Sequence, residues 1–261
     1  IRQRVARIYP AFLIGIGLLI LYNLVASGYI PTSTWWLQIA VKLGMVHTLL
    51  PRQALSIVGP WWFYGLIVQL YVLFIPLYYV IKKWHWKGFL ALSGVAYLCI
   101  FLLYDWLLGY DVFIMANAPG HIPEFTLGIL LALYPKSISK HWALILLAVV
   151  LFVVGNFYFA VFPFTFLAIT YLLVLFVLKL FKHTAVGTKF IIFYGGLSMF
   201  LFAVHGFFRK PFFVNTAESY NDPLITLALG FLYLLTTTLV AYACRLGYHT
   251  LQKKTRQKST K

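Results

Sequence analysis

Negative charge is nearly missing from this sequence. Five Asp and Glu stand against 21 Lys and Arg in 261 residues, and charged side chains make up only 10% of the chain. Ordinary soluble domains carry about 25%, and with 62% of residues hydrophobic there is too little polar surface to face water, so a water-soluble fold is excluded. The net charge of +16 does not point to nucleic acid. Nucleic-acid readers spread basic residues over a solvated face, whereas here they punctuate long apolar runs. Cysteine is equally scarce: Cys99 and Cys244 are too few for a disulfide framework or a metal cluster. Spacings for a zinc site, a nucleotide-phosphate loop or a serine nucleophile elbow are absent. No bound cofactor or metal is expected.

What the sequence has is length without charge. Stretches such as Arg52 to Lys82, Lys140 to Lys179 and Asp222 to Arg245 contain no ionisable Asp, Glu, Lys or Arg between their ends. A crossing takes about 20 apolar residues at about 1.5 Å each. The pattern predicts an all-α, polytopic transmembrane bundle with eight spans, near 10–27, 61–80, 89–107, 122–134, 141–157, 164–181, 190–208 and 223–242. The fifth and sixth form a helical hairpin turning at Gly155, Asn156 and Pro163. The fourth is short, and charge decides its parity. Counted as a crossing, it places 17 basic residues on one side and Lys42, Arg52, Arg209 and Lys210 on the other. Counted as a re-entrant turn, it inverts the positive-inside rule.

The expectation is a multi-pass cell-membrane protein with both ends of the chain cytoplasmic and the five acids at or near the outer face. Trp35, Trp36, Trp61, Trp62 and Trp106 form an outer aromatic belt, and Trp84, Trp86 and Trp142 an inner one. Residues 35–50 read as an interfacial helix, with His47 in a solvated loop. Residues 1–251 form one membrane domain, and 252–261 a basic, disordered tail against anionic headgroups. The opening on Ile1, with no secretory leader pattern, suggests that sequence precedes it. Membrane lipid is an expected partner, and oligomeric state has no signature.

Ionisable groups at membrane depth are costly and mark function unless a partner explains them. Arg4 and Arg7 stand one helical turn apart, so both guanidinium groups reach one cytoplasmic anion, or simply anchor the first span. His121 and Glu124 lie three residues apart, with Pro123 placed for a first helical turn. The carboxylate either orients the imidazole or answers the helix dipole. His205 lies four residues before Arg209 and binds an acceptor, moves a proton or bonds a neighbouring helix. Gln69, within a span, calls for a hydrogen-bond partner on another helix.

In order, the segments RVARIYP, PWWFYGLIVQLYVLFIPL, HIPEFTLGILLALY and LSMFLFAVHGFF resemble the integral-membrane acyltransferase family 3, which includes O-acetyltransferases of cell-surface and secreted polysaccharides. The resemblance covers almost the whole chain. It implies ten spans in the complete protein, hence two before Ile1, with a catalytic histidine on the first of them and an inactive chain without it. It implies that Arg4 and Arg7 bind an acyl-CoA donor. It implies a role for the segment from Trp62 through Gln69 to Tyr71, where family members often carry a glutamate five or six residues after the tryptophan. Here those positions are Ile67 and Val68, with Gln69 as a polar stand-in.

The function expected is therefore membrane O-acyl transfer, most simply of acetyl from acetyl-CoA to a hydroxyl of a glycan acceptor. Glu124 and His205 are the catalytic candidates within this chain. Gln69, Tyr71, His121 and Trp62 line the substrate path, and Arg4 and Arg7 hold the donor. The rival readings are a carrier or translocase of a lipid-linked sugar, and a non-catalytic relative of the same fold.

Overall fold

The structure, a computed structural model, describes residues 2–25, 32–135, 142–181, 185–220 and 222–259. Among them every regular element is helical: α1 (Arg2–Val25), α2 (Ser33–Leu43), α3 (Trp62–Gly109), α4 (Ile122–Leu133), α5 (Trp142–Gly155), α6 (Phe162–Phe181), α7 (Ala185–Phe208), α8 (Asn215–Tyr220) and α9 (Pro223–Ser259). Among the described residues four stretches are long and apolar enough to cross a membrane, Ile8–Val25, Gly59–Gly109, Ala185–Phe207 and Pro223–Thr250, and three apolar helices are shorter. The chain divides into two compact units: Ile1–His47, Leu55–Tyr64 and Ile192–Lys261 in one, Thr48–Ala54 and Gly65–Ile191 in the other.

In the second unit, α3 is 48 residues long, roughly 72 Å at 1.5 Å per residue and more than twice a membrane core. Its backbone leaves the helical region at His85 (φ 52, ψ −127). The helix therefore has two limbs, which correspond to the expected spans at 61–80 and 89–107. The short α4 lies beside the first limb. At its start, the Ala118 N–H donates to Gln69 Oε1 (2.9 Å). At its end, the Tyr134 hydroxyl donates to the Lys82 carbonyl (3.2 Å), and the Tyr134 ring stacks on His85. Gln69 and Lys82 are thirteen residues apart on α3, so α4 and its lead-in run beside about 20 Å of that limb. Leu77 and Ile81 of that limb, Phe89 of the second limb, and Leu127 and Leu130 of α4 form one core. The α5–α6 hairpin turns between Gly155 and Phe162, as expected.

In the first unit, Phe12 of α1, Trp61, Tyr64 and Ala203 of α7 are fully buried. The Trp61 indole N–H donates to the Ala203 carbonyl (3.1 Å), and the Tyr64 hydroxyl donates to the Met199 carbonyl (2.7 Å). Gly15 opposes Ala203, where an added Cβ would come to 3.2 Å, so small residues let the two backbones approach. Thr32 caps α2, its hydroxyl accepting from Trp35 N–H (3.3 Å).

Three expectations are corrected here. Trp61 and Trp35 are not belt residues, since they are 0% and 9% exposed, whereas Trp36, Trp84, Trp86, Trp106 and Trp142 are exposed. An indole whose N–H finds a carbonyl costs little to bury. Lys42 and His47, expected near solvent, are buried. Lys42 falls with Trp35 and Ile39 on the inward stripe of α2, which is why that segment shows no clean polar face. The basic tail is not irregular: α9 continues to Ser259, because Gln, Lys and Arg are good helix formers and neither Gly nor Pro follows Gly247.

Candidate functional site

Two amide side chains set the lead-in to α4. Gln69 Nε2 donates to Thr48 Oγ1 (2.8 Å) and to Asn117 Oδ1 (2.9 Å). Asn117 Nδ2 donates to the carbonyls of Thr48 (2.9 Å) and Phe113 (3.0 Å). With Ala118 N–H on Gln69 Oε1, the two amides lock residues 113–118 onto α3. Gly120 lets the chain fold back, because a Cβ there would stand 2.9 Å from the Met115 Cα. Nearby, Arg52 pairs with Asp111 (2.7 Å), largely exposed and worth at most about 1 kcal/mol. The partner that Gln69 called for exists, and the residues that supply it, Thr48 and Asn117, carried no sequence signal.

This lead-in delivers His121 and Glu124 to the interior of the second unit. His121 occupies the cap position of α4, Pro123 its first turn, and Glu124 follows. His121 Nδ1 stands 3.8 Å from Glu124 Oε2, and the two side chains are 15% and 14% exposed. The second limb of α3 adds Ser93 and Tyr97, one turn apart on one face. Tyr97 lies within electrostatic reach of Glu124. Its ring packs on Phe164 of α6, while the His121 ring meets Phe166. Neither oxygen of Glu124, nor Ser93 Oγ, nor the Tyr97 hydroxyl has a hydrogen-bond partner among the described residues, and all four atoms are buried. Unsatisfied buried polar groups are rare and costly. Here a base, a carboxylate and the Tyr97 hydroxyl come together in the interior of the unit, with Ser93 one turn from Tyr97 along α3. Counting from the bend at His85, Ser93 and Tyr97 lie roughly 12 and 18 Å along the limb. Glu124 is therefore an interior group of this unit.

The other candidates lie elsewhere. His205 belongs to the first unit, on α7. Its Nδ1 bonds the Leu201 carbonyl (2.9 Å), and the Tyr233 hydroxyl donates to its own carbonyl (3.2 Å). Since a carbonyl only accepts, Nδ1 carries the proton and Nε2 is the basic nitrogen. Trp62 opens α3 half-buried with its ring against Phe63. Tyr71 is half-buried outside the amide network. Arg4 and Arg7 lie in the first turns of α1, and their side chains fall outside those described.

Sequence reasoning missed the Lys42–His47 pair of the first unit. His47 Nε2 donates to the Trp61 carbonyl (3.1 Å), and its buried Nδ1 has no partner among the described residues. Burial first, and the Lys42 cation second, hold the imidazole down at about 4, against the opposing bond to Trp61. Burial lowers Lys42 to about 8. The folded chain thus refuses a proton at His47 that the unfolded chain accepts below its ordinary 6.5. Stability is complete above that pH and falls as pH drops towards 4, by about 3 kcal/mol. For Lys42 the cost of the buried charge is full below pH 8 and is relieved as pH rises towards 10.5. Thermal melts in detergent should therefore show Tm falling between pH 6.5 and 4.5, and His47→Leu should flatten that fall. An unchanged slope would rule the histidine out as its source.

Compared with known proteins, residues 1–246 match the model of a family described as an acyltransferase domain. No curated protein matches. No solved structure matches.

Proposed function

Because the chain belongs to the acyltransferase domain family, acyltransferase family 3, over residues 1–246, we propose that this membrane acyltransferase moves an acetyl group from acetyl-CoA to a hydroxyl of a cell-surface or secreted polysaccharide. The observation that carries the chemistry is the buried His121–Glu124 pair, with the Tyr97 hydroxyl within electrostatic reach of it. In this reading the acceptor oxygen attacks the thioester carbonyl carbon as His121 takes its proton, and Glu124 stabilises the imidazolium that forms. The carbonyl oxygen becomes an oxyanion, for which Ser93 and Tyr97 supply donors in an apolar surround. Collapse breaks the C–S bond, and the departing thiolate recovers the proton from His121. His205 has no step in this scheme.

Eight crossings agree with the helices seen: the two limbs of α3, the three other long spans and the three shorter apolar helices. Both ends of the chain are then cytoplasmic, with Arg4 and Arg7 on the side of the CoA phosphates. A site in the interior is reached by a donor from one face and an acceptor from the other.

The test is radiolabelled acetyl-CoA supplied to the cytoplasmic face of membrane vesicles holding the full-length protein and envelope glycan. Alkali-labile label on the glycan is expected, reduced at least tenfold by Arg4→Ala with Arg7→Ala. Glycan that moves across the vesicle without acquiring label would instead make the protein a translocase.

A further inference from the structure

The first unit carries a half-open cavity that the proposed chemistry leaves unused. It measures about 890 Å3 and is bounded by α1, residues 57–60, the end of α7, the segment after it and α9, near the top of the roughly 300–1,000 Å3 of small-molecule sites. Its walls are aliphatic, with Leu18 and Leu19 on α1, Val58, and Val240 on α9. Its rim is not. Arg209, exposed, stands there with Asn215. Among the described residues the carboxylates within ion-pair distance of a base are Asp111, held by Arg52, and Glu124, beside His121, so no carboxylate answers Arg209.

The cavity is also deep. The bond from the Tyr233 hydroxyl to the His205 carbonyl sets that level of α9 beside the end of α7, and Val240 lies seven residues further along α9, about 10 Å away. The space runs from a guanidinium at one end to an aliphatic floor at the other. We infer that it binds a phosphate-headed lipid, with the phosphate on Arg209 and one hydrocarbon chain along Leu18, Leu19 and Val240. A guanidinium receives phosphate oxygens in a forked geometry, and an apolar slot rewards each buried methylene by about 0.8 kcal/mol. A nucleotide or sugar would leave the walls unmatched, a neutral lipid would leave Arg209 unanswered, and free phosphate has no use for the depth. The inference does not depend on acyl transfer, and its test needs no turnover.

The test is native mass spectrometry of the full chain in neutral detergent, titrated separately with dioleoyl phosphatidic acid, dioleoylglycerol and inorganic phosphate. Phosphatidic acid should be retained at least tenfold more tightly than dioleoylglycerol. Arg209→Gln should abolish that preference, and Val240→Trp, which fills the floor, should weaken retention with Arg209 intact. Should Val240→Trp fail to fold, Leu18→Trp blocks the same slot from the other wall. Equal retention of the two lipids, an Arg209→Gln variant that binds as before, or inorganic phosphate that competes the lipid away at similar concentration would each overturn the inference.

Discussion

Glu124→Gln should lower acyl transfer by about 10²–10⁴-fold while leaving the protein as stable as before or more so. The two readouts move apart for a physical reason. Glutamine has the shape of glutamate but no charge to lose from water, and the Glu124 oxygens accept no hydrogen bond among the described residues, so the substitution removes a desolvation cost without breaking a contact. What it does remove is the negative charge 3.8 Å from His121 Nδ1, which would stabilise the imidazolium formed as the acceptor loses its proton. A carboxylate serving only the helix dipole would behave differently. Its loss would cost a few tenths to one kcal/mol of stability and leave the rate alone. Initial rates in vesicles together with thermal melts of the purified protein separate the two. Ser93→Ala and Tyr97→Phe should each reduce kcat with little change in Tm, since neither hydroxyl has a partner among the described residues to lose.

The second large effect is expected at Gln69. Gln69→Leu fills a similar volume, but it strips the partner from Ala118 N–H, leaves Asn117 Oδ1 without its donor and removes the bond to Thr48 Oγ1. Each buried group left unsatisfied costs about 1–3 kcal/mol, so a loss of about 3–5 kcal/mol is expected in denaturant titrations. Gln69→Glu should be milder where the acid holds its proton, because its carbonyl oxygen still accepts from Ala118 N–H and its hydroxyl can donate to Asn117 Oδ1. Hydrogen exchange should locate the damage in residues 113–121, the segment these bonds hold, and activity should fall with it because His121 and Glu124 follow directly. A leucine variant that unfolds like the parent chain, with 113–121 still protected, would mean that the amides decorate the lead-in rather than hold it.

The extent to which sequence anticipated structure differs between helices and site. The limbs of α3, the hairpin of α5 and α6, and α4 as a passage along α3 follow from apolar run length, turn residues and basic punctuation. These are local properties, because a helix in lipid satisfies its own backbone. His121 and Glu124 were visible as a pair for the same reason, being three residues apart on one element. Ser93 and Tyr97 were not, because nothing in SGVAY distinguishes an interior hydroxyl from a lipid-facing one until α4 and α6 lie against it.

Burial of charge was the least legible feature. Lys42 and His47 sit in a segment whose composition suggests an interface, and Trp61 in one that suggests an aromatic belt. Whether such amphipathic side chains point out or in depends on what other segments bring to meet them, here the Trp61 carbonyl for His47 and the Ala203 carbonyl for the indole. The sequence by itself determined that this is a bundle of helices built for lipid, roughly where the apolar runs fall, and which family it belongs to. Only the tertiary structure decided which few polar atoms share a dry interior, because that depends on contacts between residues as far apart as 61 and 203, and no periodicity along the chain encodes them.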